Sequence, residues 1–549
     1  MIYLGKRYPF GFKEFREIVF QKKPFAICPF AAQRLEETRS FIEALLAENI
    51  KVYGLTTGFA DLRHQSVDPH SAAQLSCNLI ESHDAGIGAS LDPDVILGAM
   101  VVRASSLAKG YSGFQLRSLN TLLEMIQHNI IPIIPKTGSL GASGDLAFLA
   151  RVGRAMMGAE VPVWHHGVLT TAAIAFKNTG IEPFEPLAKE GLAMTNGTSF
   201  MISSMAIAFL KQLHALENIL AMQGLFLNSV EAIDAAFNDC IQGVRNQSGQ
   251  TKIAKVISKH FVNSPFIDFT GVQDDYCIRC LPQLLGSKIE IILEQYSKIQ
   301  NELNAVTDNP LLFKEDEISS DVDPRRIFQF KGENWAVLSG GNFHGEIITT
   351  IADVICAANA KIALTLERQI TYMLNPFRNK NRLPTYLIPN SEEVGLSSGY
   401  MITQYTANAL AQKIAQFGIP TSIFNITSAN ESEDVVSYGA TAVERLLQQV
   451  QLLKELNTIY LCVALQAYSI ARQKKIAEGS TIPSELLAER LFQESVAFNG
   501  ETFPHVIDAS FDKRYEKAQK FLDTDCLREI MGFPLEALVQ DSLEELIVD

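Results

Sequence analysis

The segment Gly138-Ser139-Leu140-Gly141-Ala142-Ser143-Gly144-Asp145-Leu146 sets a serine between alanine and glycine, directly ahead of an apolar run. One reading is conformational: Ser143 or Asp145 caps a helix through Leu146, Leu149 and Val152, and the glycines shape the turn. The other is chemical. A tight bend that presses the Gly144 nitrogen against the Ala142 carbonyl closes a ring with loss of water, and Ser143 then sheds its hydroxyl to leave an exocyclic methylene. Glycine suits this because no Cβ blocks the approach, alanine because it is small, and serine because it carries a leaving hydroxyl. The product, a methylidene-imidazolone (MIO), is a strong electrophile made without any external cofactor. The tripeptide alone does not choose between the two readings, because its residues are common ones.

Other chemistry-bearing patterns are weaker. Cys277 and Cys280 have C-x-x-C spacing, but no second pair or nearby histidine pair completes a metal site, so they read as incidental thiols. His165-His166 beside Trp164 reads as a surface turn. Gly395-Leu396-Ser397-Ser398-Gly399 matches G-x-S-x-G, yet the preceding Ser391-Glu392-Glu393-Val394 is too polar for the buried strand of a nucleophile elbow. Phosphate-cradling loops and H-E-x-x-H are absent. No metal site is expected.

The elements that must position these residues are helical. Leu119, Leu122, Leu123 and Ile126 recur at i, i+3, i+4 and i+7, and Val443, Leu446, Leu447, Val450 and Leu453 do the same. Ile289, Ile292, Leu293, Tyr296, Ile299 and Leu303 form a third stripe, which should end before Thr307-Asp308-Asn309-Pro310. Strand-like runs are short; residues 130–134 are the best, interrupted by Pro132. Of 549 residues, 47% are hydrophobic and 20% charged, which excludes disordered and low-complexity classes. Lys and Arg total 47 against 61 Asp and Glu, a net charge of −14, which argues against nucleic-acid or anionic-membrane partners. Eight scattered cysteines and an N-terminus without a signal-peptide pattern point to the cytoplasm. The most apolar stretches, residues 200–210 and 459–470, read as too short or too polar to span a bilayer.

Beside the loop Gly138 to Leu146 stand Tyr53-Gly54-Leu55-Thr56-Thr57-Gly58-Phe59, Glu190-Gly191-Leu192-Ala193 and Asn196-Gly197-Thr198. Further on come Gln273-Asp274-Asp275-Tyr276 with Arg279, Thr307-Asp308-Asn309-Pro310, Ser339-Gly340-Gly341-Asn342-Phe343-His344 and Glu433-Asp434-Val435-Val436-Ser437. In these blocks the chain resembles the MIO-dependent aromatic amino acid ammonia-lyases, the family of histidine, phenylalanine and tyrosine ammonia-lyases and related aminomutases. The blocks stand in the family's order.

The resemblance implies a mainly α fold of the fumarase/aspartase-like helical superfamily: a long-helix bundle with a smaller N-terminal α/β portion carrying the MIO loop. It implies an MIO formed from Ala142, Ser143 and Gly144, a small-molecule amino acid substrate, and a homotetramer with shared active sites. Tyr53 matches the family's base, whose phenol must be lowered from its usual range of about 10 to act at neutral pH. Asn196 matches the residue that hydrogen-bonds the MIO, Phe343 the aromatic that shields it, and Arg279 the clamp for the substrate carboxylate. Tyr276 matches a tyrosine beside the MIO and substrate. Gln273 and Tyr276, at successive steps of three before Arg279, are expected on one helix face lining one cavity.

Substrate choice turns on two positions. Ser82-His83 and Glu433 look like the histidine-ammonia-lyase forms, with His83 and Glu433 addressing an imidazole that has an N–H donor. Thr56-Thr57 and Ser199 after Asn196-Gly197-Thr198 look more like the phenylalanine and tyrosine enzymes. Ala60 stands where the family usually has glycine, and Phe148 where it has proline. The first bears on the lid carrying Tyr53 and the second on the pocket or cyclisation. The resemblance therefore favours elimination of ammonia from L-histidine to trans-urocanate. Tyrosine or phenylalanine elimination and an aminomutase are the alternatives, and a non-catalytic helical scaffold with an uncyclised loop is the rival of a different class. The expected divisions are residues 1–200 for the MIO-loop domain, 201–475 for the long-helix bundle, and 476–549 for a helical extension. The tail from Ser480 on, with Pro483, the amphipathic Leu486, Leu487 and Leu491 and the acidic residues 541–549, is a candidate cap for the bundle or cover for the site entrance.

Overall fold

A computed structural model describes residues 1–535 apart from Lys6 and Phe533. The acidic segment 541–549 of the tail lies outside the described residues. The chain forms two compact units that interleave in sequence: Met1–Ile207 with Ser297–Ala352 and Thr421–Glu444, and Ala208–Tyr296 with Asp353–Pro420 and the chain from Arg445 on. This differs from three consecutive domains. Long helices such as Ser199–Ser229, Glu346–Leu374 and Gly439–Ala477 contribute residues to both units, so all the cuts but the one between Pro420 and Thr421 fall within helices.

The first unit holds all the described strands, in four small sheets. One pairs Ile130–Pro132 with Pro162–His165, which continues into Val168–Thr171 through a turn at His166 (φ 47°) and Gly167 (φ 80°). Pro132 sits on the edge strand, where a missing N–H costs no ladder bond. Another sheet, Leu311–Lys314, Glu333–Leu338 and Ile327–Phe330, comes from the middle of the chain, so the α/β portion is not N-terminal alone. Its Trp335 packs on Phe41 in a core with Leu45, Val52 and Leu55. Val52 and Leu55 are buried on either side of Tyr53 and anchor the base of its loop.

The apolar stripes become helices. Leu116–Gln127 buries Leu119, Leu122, Leu123 and Ile126. The stripe from Ile289 to Leu303 is divided between Leu281–Leu293 and Gln295–Leu303, although Glu294 at the junction keeps helical dihedrals (φ −58°, ψ −21°). Two stretches, Glu190–Ser229 and Glu346–Leu374, are long and apolar enough to cross a membrane, which the apolar runs in the sequence do not suggest. Protein buries 83% and 61% of their most apolar windows.

The second unit is built of helices. Its C-terminal part packs as helices Leu487–Asn499, Asp512–Leu522 and Cys526–Met531. Glu489 accepts hydrogen bonds from the Tyr468 hydroxyl (3.1 Å) and Arg472 Nε (2.9 Å), and Arg528 Nε donates to Glu217 (2.8 Å). Ser397 of the G-x-S-x-G segment follows a 3-10 turn, Ser391–Glu393, and donates to Asp508 Oδ1 at 2.5 Å, as a loop serine does.

Candidate functional site

The loop Gly138 to Asp145 is held from three sides of the first unit. Gly345 N–H (3.0 Å) and the Ser437 hydroxyl (2.9 Å) both donate to Gly141 O, and Tyr438 N–H donates to Leu140 O (2.8 Å). The Ser139 hydroxyl donates to Asp145 Oδ1 (2.9 Å) and accepts from Gly141 N–H (3.2 Å). Asp145 does not cap the helix Leu146–Met156 with its side chain. Its Oδ2 accepts from Phe200 N–H (2.8 Å) and Met201 N–H (3.0 Å), and so caps the long helix Ser199–Ser229, where a carboxylate is favoured. Burial raises the Asp145 carboxyl to about 7, against the Met201 N–H, the Ser139 hydroxyl, the Phe200 N–H and the Arg103 charge, all of which favour ionisation.

Gly144 must be glycine. Its φ is +77°, and a Cβ there would stand 2.3 Å from Gly197 O and 2.5 Å from Gly197 N. Gly197 in turn lies against Arg103, whose guanidinium donates to Thr307 O (2.7 Å) and to Ala193 O. Beside this layer Lys189 and Asp308 form a wholly buried ion pair at 2.8 Å. Asn196, at the end of the helix Glu190–Thr195, directs its Nδ2 donor to Ser143 O at 2.8 Å.

Glu433 stands over the other side of Ser143. The Ser143 hydroxyl donates to Glu433 Oε1 (2.5 Å), and the Ser428 hydroxyl donates to Oε2 (2.5 Å). The same carboxylate acts electrostatically on both Tyr53 and His83. Burial lowers the His83 imidazole, opposed by Leu79 O and by the Glu433 charge. His83 ends the helix Ala72–His83, and the next residue, Asp84, pairs with Arg151 and Arg154 at 2.6 Å each. Gly191 lets that helix approach closely, because a Cβ there would meet Ser76 O at 2.4 Å.

Tyr53 is half-buried, edge-on to Phe59. Its hydroxyl accepts the Ala60 N–H at 3.0 Å. Burial raises its phenol above the ordinary value, with the Glu433 charge adding to the rise and the Ala60 N–H and Arg63 opposing it. The expected lowering of Tyr53 is therefore not supplied by these groups. The 3-10 turn Ala60–His64 is tied to the Glu433 loop where Asn430 Nδ2 donates to Asp61 Oδ2 at 2.8 Å.

Tyr53, His83, Ala142, Ser143, Gly144, Asn196, Phe343 and Glu433 all belong to the first unit, and Gln273, Tyr276 and Arg279 to the second. Phe343 lies two residues before the Gly345 N–H that binds Gly141. Tyr276–Arg279 is one helical turn, with the Arg279 guanidinium over the Tyr276 ring at 4.7 Å and Arg279 Nε donating to Asp274 O (2.8 Å). Gln273 precedes that turn in non-helical backbone, so the expected common helix face holds for Tyr276 and Arg279 only. Gln369 Nε2 donates to Cys277 O (3.0 Å) and fixes the turn within its unit. Cys277 and Cys280 are free thiols. Phe148 is buried against Phe200, ring centroids 5.4 Å apart, and so fills space behind the loop.

Ser139, Arg103 and Ser428 escape the sequence reading. Arg103 had a usable signal, a charge inside the apolar run Met100-Val101-Val102-Arg103-Ala104, since such charges are retained only when paired. Ser139 and Ser428 had none.

The chain matches the family described as aromatic amino acid lyase over residues 11–490. It is 36% identical over 492 residues to a probable histidine ammonia-lyase of Thermoplasma acidophilum, covering 89% of this chain and 92% of the relative. It is 33% identical over 458 residues to a histidine ammonia-lyase of Bacillus cytotoxicus, with 83% and 86% covered. Among solved structures, histidine ammonia-lyase from Trypanosoma cruzi superposes with TM-score 0.83 at 26% identity, over 98% of this chain and 97% of that one. A phenylalanine aminomutase from Pantoea agglomerans, at 23% identity and TM-score 0.84 over 96% and 100% of the two chains, shares the fold. The chain belongs to the aromatic amino acid lyase family and is a carbon–nitrogen lyase.

Proposed function

We propose that the protein eliminates ammonia from L-histidine to give trans-urocanate. One observation carries the choice of substrate: the Glu433 carboxylate, bonded to Ser143, lies within electrostatic reach of both His83 and Tyr53. A carboxylate and an imidazole within electrostatic reach of one another offer an acceptor and a donor to a substrate imidazole, and a phenyl ring uses neither.

The residues around Ser143 fit an MIO. Gly144 admits the close approach that ring closure needs, and the Asn196 amide donates to Ser143 O, which becomes the ring carbonyl. The group, formed from Ala142, Ser143 and Gly144, supplies an electrophile that turns the substrate amine into a better leaving group. Tyr53 takes the β-proton, His83 and Glu433 hold the imidazole, Arg279 grips the carboxylate, and Gln273, Tyr276 and Phe343 line the cavity. We assign Gln273, Tyr276 and Arg279 to sites shared between subunits of a homotetramer. In support, Val272, Tyr276 and Phe377 are 99%, 68% and 90% exposed in the single chain, apolar surface that a partner would cover. Eight free cysteines suit a cytoplasmic enzyme.

Incubating the purified protein with histidine, tyrosine and phenylalanine, and following the ultraviolet absorbance of the unsaturated acids, tests the reading. Urocanate should form fastest. Faster coumarate or cinnamate would favour the reading that Thr56-Thr57 and Ser199 support, and a β-amino acid product would make the protein an aminomutase. No product together with a full-mass loop would leave a scaffold.

A further inference from the structure

Both polar atoms of Ser143 that must change in losing water are already held, one by Asn196 and the other by Glu433. We propose that Glu433 is a catalytic residue in the protein's own maturation, the proton donor to the departing Ser143 hydroxyl, in addition to its place in the substrate site. The proposal rests on the self-formed MIO.

Maturation sheds two waters. In the first loss the Gly144 nitrogen gives up its N–H proton and bonds to the Ala142 carbonyl carbon, the Ser143 nitrogen gives up its N–H proton and forms a double bond to that carbon, and the carbonyl oxygen leaves with the two protons as water. In the second, the Ser143 Cα–H bond breaks and its electron pair becomes the Cα–Cβ double bond as the Cβ–Oγ bond breaks. The Cα proton passes to solvent water. As the Cβ–Oγ bond breaks, a solvent proton reaches the departing Oγ through the Glu433 carboxylate, Oγ leaves as water, and the carboxylate is left as it began. No oxidant or reductant is required.

The geometry suits each demand. Hydroxide is a poor leaving group, and Glu433 Oε1 lies 2.5 Å from Ser143 Oγ, close enough to share a proton with it. The Ser428 hydroxyl holds Oε2 at 2.5 Å. Ser428 and Glu433 also exchange backbone hydrogen bonds (3.1 and 3.3 Å), which fixes the carboxyl group over the serine. Charge that builds on Ser143 O as Cα–H breaks meets the Asn196 amide at 2.8 Å, an oxyanion-type arrangement. Asp145, the other carboxyl group beside the loop, is occupied by Ser139, Phe200 and Met201.

The test reads mass and not turnover. Full-length protein is made by cell-free synthesis, sampled over time, and digested, and the peptide covering Ala142, Ser143 and Gly144 is weighed. The wild-type peptide should reach a mass two waters short. Glu433→Gln should mature at least tenfold more slowly and accumulate peptide that is one water short, with an unfolding midpoint matching that of Ser143→Ala; accumulation at full mass overturns the assigned step. Ser428→Ala, which leaves the carboxyl group but loosens it, should mature at an intermediate rate, and it carries the test if Glu433→Gln does not fold. Wild-type maturation rates in Glu433→Gln, or in Ser428→Ala if that variant alone folds, overturn the proposal and leave the MIO intact. A wild-type peptide at full mass defeats the MIO reading itself.

Discussion

Ala60, a residue with a Cβ in the left-handed region at φ 45°, donates its backbone N–H to the Tyr53 hydroxyl at 3.0 Å. The hydrogen bond is thus made by a strained residue where glycine would rest without strain. A left-handed alanine costs about 1–2 kcal/mol, and glycine forfeits about 0.5–1 kcal/mol through the entropy of the unfolded chain.

Ala60→Gly should therefore stabilise the fold by about 0.5 kcal/mol. Chemical denaturation checks this; a loss of stability would show that the Cβ makes a contact worth more than its strain.

The pH dependence of kcat/KM should expose Tyr53. Burial first, and the Glu433 charge after it, raise the phenol, so the fraction of ionised base grows as pH rises into the alkaline range. kcat/KM should accordingly climb with pH on its alkaline side. In Glu433→Gln the charge that raises the phenol is gone, so the rising limb should move to lower pH although the maximum falls. An unmoved limb would mean that a group other than Tyr53 titrates there.

Gly144→Ala should block maturation. Its Cβ meets backbone atoms of Gly197, which no rotamer change relieves, at a φ of +77°. The loop peptide should be found at full mass; a peptide two waters short would show that the backbone adjusts.

Removing one member of the buried pair Lys189–Asp308 should cost heavily. Asp308→Ala leaves an ammonium group with no counter-charge in the interior, a loss of about 3–5 kcal/mol. The double variant Lys189→Met with Asp308→Leu should recover a large part of it. Urea unfolding of the three proteins decides the matter, and equal losses in single and double variants would refute the pairing argument.

How much of this was legible in the sequence depends on range. The helices Leu116–Gln127 and Gly439–Ala477 follow from local apolar periodicity, and the first-unit candidate residues are picked out from local blocks that resemble the family's. Local capping rules offer Ser143 or Asp145 as the cap of the helix that follows, because capping is usually local. The Asp145 carboxylate instead binds Phe200 and Met201, more than fifty residues on, which no spacing rule encodes. Counting in threes puts Gln273 on a helix face, but the helical turn begins only at Tyr276. The two interleaved units were illegible for the same reason as Asp145: segments such as Thr421–Glu444 join the first unit through contacts distant in sequence.

The Ser143–Glu433 contact spans 290 residues of chain. At the usual synthesis rate of about 5–20 residues per second, roughly 15–60 s separate the appearance of the serine from that of its carboxyl partner. During that interval the emerging polypeptide carries an ordinary hydroxyl. A reactive centre assisted by Glu433 is armed slowly until residue 433 has been made, so a product truncated before that point would carry its electrophile late or not at all.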